Sequence, residues 1–547
     1  MQPKKIGPLT AVLSALVLGL ATLPAAFPDF GGAPAGAEAR SGSSAVAQKA
    51  DDRTPSREPV RECTDLTSTH IPGGTVASAV AVTADATTPS SCRVRATFAH
   101  EPANDLVTVW VYLPSEDWNG RFEGVGGGGF SGGSESSLLA PLKQGYAAAA
   151  TDAGSPGTDA SFFLNPDRTI NWQVADDWGY LGIHEMTVAA QSLVAAYYGR
   201  AADHSYFNGC STGGRQGLTE AQRYPDDYDG ILAGSPVINY MQSNPAQMWP
   251  QLLMLENDDE IPACKAQAVV DAVVAACDTV GDGVEDGVIG DPLACTWDPS
   301  ELIGTPTPCG TITKTDADII RQIWRGARTR TGEFMWYGIL PGARLSGIAG
   351  TTTVDGELVG KPNNPKVIGN WLYQDPSWDW TTLTQASYEQ AFTQGEEEWA
   401  VTQSSNDPDL SAFAKKGGKI LMWHGLADFG VMPQGSMDYY NRVSDTMGAG
   451  HAKQFMRLFM APGVDHCGGG SGPQPTGQFD ALVDWVEKGK APKTIDGVKT
   501  DAATGKVVQT RPICTYPGVA RYTGRGDVDD AANYRCVQAT ESGTRAP

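Results

Sequence analysis

The chain has 547 residues and a formal net charge of −23, which allows two or three domains with real cores and argues against a polyanionic partner such as nucleic acid. That balance suits an extracellular protein, and no internal repeat divides the chain. The N-terminus, MQPKKIGPLTAVLSALVLGLATLPAA, sets two lysines before an apolar run and small residues after it. With AEA at Ala37 to Ala39 as the cleavage site, residues 1–39 read as a secretory signal peptide. A membrane anchor is the alternative, disfavoured because Pro24 interrupts a run already short for a bilayer span. Residues 40–58 are polar and poor in aromatics and read as a disordered linker. No later segment is apolar enough to cross a bilayer, so no membrane partner is expected.

Residues 59–238 read as the first part of an α/β core. VTVWVYLP is a strand-like run, and WNGRF and then EGVGGGGFSGG follow it. The next motif is FNGCSTGGRQGL, residues 207–218, which frames Ser211 as G-x-S-x-G. In a chain with 64 glycines that frame alone is weak. Its context is stronger. SYFNG reads as a short apolar strand and TGGRQGLTEAQRYP as a helix closed by Pro225, the strand–turn–helix setting of a nucleophile elbow. An acyl-transfer site also needs two backbone N–H donors at the developing oxyanion. One is expected from Thr212, the residue after the serine, and the other from the glycine-rich loop, at Gly128 with Gly127 or Gly129.

A serine nucleophile needs a histidine base and an acid behind it, and in the α/β-hydrolase order both follow the serine. Only His424, His451 and His466 do so. KILMWHG reads as a buried parallel strand with Asp428 just past its end, where open α/β sheets carry their chemistry. The alternative role of Asp428 is a turn or helix N-cap. FMRLFM is a second such strand, with His466 in the glycine-flanked loop after it. Asp465 adjoins His466 and points away from it; His424 reads as a structural, hydrogen-bonded histidine and His451 as a surface residue in a polar loop. The span from Ser211 to Asp428 is too long for the one or two strands expected between them. Residues 239–410 therefore read as an inserted lid domain, and 411–547 as the second part of the core. The insertion holds Trp249, Trp297, Trp324, Trp336, Trp371, Trp378, Trp380 and Trp399, either as flat surfaces for an aromatic substrate or as its own core. Within it, CDTVGDGVEDGVIGDP suggests a calcium loop on Asp278, Asp282 and Asp286, although no glutamate completes an EF-hand.

Ten cysteines in such a chain suggest five disulfides, and no C-x-x-C pair points to zinc or redox chemistry. Local order favours 63–92, 277–295 and 514–536. Cys210 precedes Ser211 and Cys467 follows His466, so if serine and histidine meet, these two sulfurs come close as well. They can otherwise pair elsewhere.

These stretches together resemble the tannase and feruloyl esterase family of α/β-hydrolases, which includes hydrolases of mono(hydroxyethyl) terephthalate. The resemblance spans roughly residues 60–540 and rests on WNGRFEGVGGGGFSGG, EMTVAAQSLVAAYYGR, YFNGCSTGGRQGLTEAQRYPDDYDGILAGSP, WHGLADFGVMP and DHCGGG. It implies a triad of Ser211, Asp428 and His466 and a Cys210–Cys467 disulfide. It also implies structural calcium held by the carboxylates of Asp278, Asp282 and Asp286 and the carbonyls of Val284 and Val288. One extra residue between Asp278 and Asp282 departs from the family spacing, as does a Cys264–Cys309 pair. The chain thus reads as a secreted serine carboxylesterase with an α/β-hydrolase core and a large inserted lid. The substrates implied are small aromatic esters or feruloylated polysaccharide. Feruloyl esters are expected first, with galloyl esters or terephthalate monoesters as alternatives. A non-catalytic calcium-dependent binding protein is the reading from another class, and it would be marked by a missing triad residue.

Overall fold

The computed structural model describes residues 58–155, 157 and 160–539. The signal peptide and nearly all of the linker read from the sequence lie outside the described residues. Strands β1 (Gly74–Val82), β2 (Ser91–Phe98) and β3 (Val107–Pro114) form an antiparallel meander. Then come β4 (Arg121–Val125), β5 (Ala147–Thr151), β6 (His204–Cys210), β7 (Gly230–Gly234), β8 (Lys419–Gly425) and β9 (Met456–Ala461). The nine strands make one sheet in the order β1-β2-β3-β5-β4-β6-β7-β8-β9. The β3–β5 pairing is antiparallel, and every pairing from β5 across to β9 is parallel.

The central strands carry the composition that a sheet covered on both faces requires. β5 is AAAAT and wholly buried, and β8, KILMWHG, is buried at all but its first residue. Helix α1 (Gly182–Tyr198) lays Ile183, Met186, Ala190 and Leu193 into the core on β3 and β5. Helix α2 (Thr212–Arg223) leaves the end of β6 and packs on β6 and β7.

Between β7 and β8 the chain leaves the sheet and builds α3 (Tyr240–Ala246), α4 (Trp249–Asn257), α5 (Ala263–Cys277), α6 (Lys314–Arg325) and α7 (Gln385–Gln403). Thr313 and Asp316 close a capping box at the start of α6, and Asp316 also takes a buried ion pair from Lys265 of α5 at 2.7 Å. Trp249, Trp336, Trp371 and Trp399 are buried in this region's core. Trp371 stacks on Trp399 at 5.2 Å and on Tyr240 at 5.3 Å. These four tryptophans serve packing and are not surfaces offered to a ligand. The same core takes in Phe163 and Trp178 from before the elbow and Val431 and Met432 from after β8, while a smaller cluster of Val273, Cys277 and Ile289 lies wholly within the insertion. Trp297 and Trp324 instead line a cleft of ≈ 400 Å³ with Arg321, Arg325 and Tyr337, and no residue of the predicted triad lines it.

After β8, α8 (Gln434–Met447) and α9 (Gln478–Lys488) return to the core, with α9 packed on β7 and β8. Strands β10 (Gln474–Thr476), β11 (Thr494–Thr500) and β12 (Val507–Cys514) form a small antiparallel sheet. Strands β13 (Gly518–Tyr522) and β14 (Tyr534–Gln538) form a hairpin. All ten cysteines pair, as 63–92, 210–467, 264–309, 277–295 and 514–536. Among the described residues no helix is long and apolar enough to cross a membrane.

Candidate active site

Ser211 stands between β6 and α2 with φ 62° and ψ −121°. A non-glycine residue held there stores about 1–3 kcal/mol of backbone strain, which the surrounding packing must hold in place. The glycines of the motif permit that packing. A Cβ on Gly209 would lie 2.5 Å from the Gly213 carbonyl carbon, and one on Gly213 would lie 2.8 Å from the Gly127 oxygen. The turn therefore works only because β6, α2 and the glycine-rich loop meet backbone to backbone.

Asp428 follows β8 and His466 follows β9, so the parallel register of these neighbouring strands delivers both side chains to the same edge as Ser211. The two loops are tied by the Ala427 N–H, which donates to the Val464 carbonyl at 3.0 Å. Gly425 is required at that crossing, since a Cβ there would lie 2.2 Å from the same carbonyl oxygen. His466 Nε2 is 2.8 Å from Ser211 Oγ, and His466 Nδ1 is 2.6 Å from Asp428 Oδ2. The Cys210–Cys467 disulfide, with Cα atoms 6.0 Å apart, joins the residue before the serine to the residue after the histidine.

Asp428 has no exposed surface. Its Oδ1 accepts the N–H groups of Gly430 and Val431, each at 2.8 Å. Burial opposes ionisation of this carboxyl, but the charge of His466 and the hydrogen bonds from His424 and His466 outweigh it and hold Asp428 well below the usual carboxylate range. For His466 burial again disfavours the charged form, and the charge and hydrogen bond of Asp428, with a smaller effect from Asp465, raise the imidazole above its ordinary value.

The glycine-rich loop is clamped by residues that the sequence did not mark. Gln216 of α2 accepts the Gly127 N–H at 2.9 Å and donates to the Gly132 carbonyl at 3.0 Å. The Gly127 N–H is thereby occupied, which makes it the least suited of the three glycines expected to donate to an oxyanion. Gly128 and Gly129 have open space around them, and Thr212 Oγ1 donates to the Gly129 carbonyl at 2.7 Å. Ser155 and Trp178 both donate to the Phe130 carbonyl, at 2.7 and 2.8 Å. The only sequence sign of Gln216 was a polar residue between glycines on a helix otherwise turned into the core. Half-buried Phe130, and Phe429 next to Asp428, supply aromatic surface on these loops.

The other histidines after the serine part company. His451 is exposed on a short helix, Ala449–Phe455, where the sequence suggested a loop. Asp465 makes no hydrogen bond to His466 and lies 3.7 Å from Arg344. His424 is buried and hydrogen-bonded as expected, but one of its partners is Asp428 itself, at 3.1 Å.

The acidic loop of the insertion offers hard oxygen donors. Asp282 is buried, and its Oδ1 accepts the Val284 N–H at 3.1 Å. Burial, reinforced by the charges of Asp286 and Asp278, pushes it up to about 7. A buried acid beside two others fits a cation. Asp286 fits less simply, because its Oδ2 already accepts from Arg511 at 2.8 Å and Gln509 at 3.0 Å. Asp278 is turned onto the N–H groups of Asp286, Gly287 and Val288. Among the described residues, the groups that bring three possible ligand side chains within 4.8 Å of one another are His100, Asp105 and Asp177, and His184, Glu220 and Asp227; Asp278, Asp282 and Asp286 do not form such a group.

A mostly parallel mixed sheet, with a strained serine at a strand–helix turn and an aspartate and a histidine at the ends of the next strands, defines an α/β-hydrolase. Residues 92–537 match the family described as tannase and feruloyl esterase, and the chain belongs to that family of carboxylic ester hydrolases. It is 38% identical to a probable feruloyl esterase of Arthroderma benhamiae over 87% of this chain and 94% of that one. It is 31% identical to feruloyl esterase B of Aspergillus niger, covering 82% and 86% of the two chains. It is also similar to the mono(2-hydroxyethyl) terephthalate hydrolase of Piscinibacter sakaiensis, at 29% identity over 84% and 87%. The crystal structure of feruloyl esterase B from Aspergillus oryzae superposes with a TM-score of 0.75 at 26% identity, covering 87% of this chain and 99% of that one.

Proposed function

We propose that the protein is a secreted serine esterase that cleaves aromatic, feruloyl-type esters through an acyl-enzyme. The observation that carries this reading is the continuous hydrogen-bonded chain from Ser211 through His466 to Asp428 beneath a strained elbow. His466 Nε2 takes the Ser211 proton as Oγ attacks the ester carbonyl carbon. The oxyanion is met by the Thr212 N–H and by Gly128 or Gly129. On collapse the alcohol leaves with the proton from His466. Water, deprotonated by the same nitrogen, then releases the acid and restores Ser211. Asp428 keeps the His466 Nδ1–H in place and stabilises the imidazolium in each half-reaction. The strain at Ser211 and the Cys210–Cys467 link hold attacking atom and base in register, where an error of about 1 Å costs on the order of 100-fold in rate.

The preference for feruloyl esters is supported by relatives that carry that name at 38% and 31% identity, and by Phe130 and Phe429 on the loops that bear the site. The five disulfides support an extracellular setting. We assign structural calcium to the insertion loop, with Asp282, whose buried carboxyl has a single N–H donor, as the first ligand, joined by Asp278, Asp286 and the Val284 and Val288 carbonyls. Calcium there would neutralise the acid cluster and hold the loop to the C-terminal hairpin. That loop already touches the hairpin, through the Tyr522 N–H on the Asp282 carbonyl at 3.0 Å. The substrate assignment is tested by kcat/KM on methyl ferulate, methyl gallate, mono(2-hydroxyethyl) terephthalate and an aliphatic ester. Ferulate is expected highest; equal rates on ferulate and butyrate esters would remove the aromatic preference.

A further inference from the structure

We propose that His424 is a positioning residue for this reaction, acting through Asp428 as the second imidazole on the triad acid. The inference rests on the triad proposed above and extends it to a fourth side chain. His424 is the penultimate residue of β8 and has no exposed surface. Its Nε2 lies 3.1 Å from Asp428 Oδ2 and 3.0 Å from the Val431 carbonyl oxygen. Both are acceptors, so Nε2 carries a hydrogen and shares it between them. Its Nδ1 lies 2.8 Å from Ser436 Oγ, whose hydroxyl donates to it and fixes that tautomer.

The consequence for Asp428 is geometric and electronic. Its four donors divide two and two: Gly430 and Val431 on Oδ1, His424 and His466 on Oδ2. Without His424, Oδ2 would have His466 as its sole donor, and the carboxylate could tilt about the two N–H bonds on its other oxygen. With His424, Oδ2 is pinned facing His466 Nδ1. The extra donor also makes Oδ2 less basic, so the proton stays on Nδ1 and Nε2 stays free to accept from Ser211. The charged groups facing this assembly are Asp428, His466 and Asp465, with Arg344 beside Asp465; His424 is the donor directed at the carboxylate from within the fold.

His424→Met removes the Nε2 donor while roughly keeping side-chain volume, whereas His424→Gln can place an amide N–H where Nε2 stood. His424→Met is expected to lower kcat about 10- to 100-fold with KM little changed. The acid limb of kcat/KM should move up by about half a pH unit, because a more basic Oδ2 strengthens its hold on protonated His466. His424→Gln should restore most of kcat and return the limb toward wild type. A folded Met variant with wild-type kcat and limb overturns the proposal. So do Met and Gln variants that lose equal activity with the limb unmoved, because that is the outcome of packing alone. If the Met variant does not fold, Ser436→Ala is the second arm: it frees Nδ1 and is expected to move the limb the same way with a few-fold loss in kcat, and no change overturns the proposal. Ser211→Ala assayed alongside keeps the two readings apart. If it is inactive while His424 variants are normal, only the positioning role falls; if it retains activity, the triad itself falls.

Discussion

Asp428 and Asp282 are both buried carboxyls, and the fold shifts their ionisation in opposite directions. Asp428 takes two backbone N–H groups and two imidazoles and stays ionised with no surface exposed. Asp282 takes one backbone N–H at 3.1 Å, sits beside Asp278 and Asp286, and is pushed up to about 7. Burial is the first influence on each and acts in the same direction. The difference lies in what converges on the oxygens: donors at the catalytic edge, other carboxylates in the insertion. A carboxylate in the first setting is held ionised, and one in the second is where the proposed calcium would supply the missing positive charge.

The sharpest way to break the catalytic side of this comparison is Ser211→Ala. It should lower ester hydrolysis on the order of 10⁶-fold while leaving thermal unfolding nearly unchanged, since removal of a triad nucleophile costs about that much. A variant with more than a few per cent of the wild-type rate would end the nucleophile assignment. Asp428→Asn comes next, with a loss of about 10⁴-fold in kcat, because an amide N–H facing His466 would favour the wrong tautomer. A loss of less than tenfold would mean that the converging donors, and not the carboxylate charge, matter here.

The Cys210→Ala, Cys467→Ala double variant should lose both stability and rate. The bond closes a separation of 257 residues, worth roughly 5 kcal/mol in the chain-entropy view, so a clear drop in Tm should accompany slower hydrolysis. An unchanged rate in a less stable variant would show that the bond stabilises the fold and does not align the site.

The insertion side is tested by calcium and pH together. The carboxyl of Asp282 titrates higher in the folded protein than in the unfolded chain, so between about pH 4 and 7 the folded state holds the extra proton. Its contribution to stability therefore falls as pH rises through that window. Chelation should lower Tm more at pH 8 than at pH 5, and added calcium should restore it; equal effects at both pH values would sever Asp282 from the cation. The smallest effect concerns His466. Its raised value predicts an acid limb of kcat/KM above the ordinary imidazole value, since only neutral Nε2 can take the serine proton. A limb at or below that value would show that Asp428 does not reach it.

The residues proposed for catalysis were legible in the chain because each lies at the end of a short, sharply bounded element. Ser211 ends a strand and opens a helix, Asp428 follows KILMWHG, and His466 follows FMRLFM between glycines. Local patterning makes those elements, and parallel strands then have few ways to aim their ends. The insertion was legible only as an interval, because its larger core is shared with residues outside it. Phe163, Trp178 and Val431 pack with Trp371 and Trp399 across long separations that no local period records. The second imidazole on Asp428, the grip of Gln216 on Gly127, and the hold of Arg511 on Asp286 likewise depend on where distant side chains end up. Composition and spacing determined which residues could do the chemistry. Tertiary structure decided which donors and charges converge on each buried group, and together they set the direction in which its ionisation shifts.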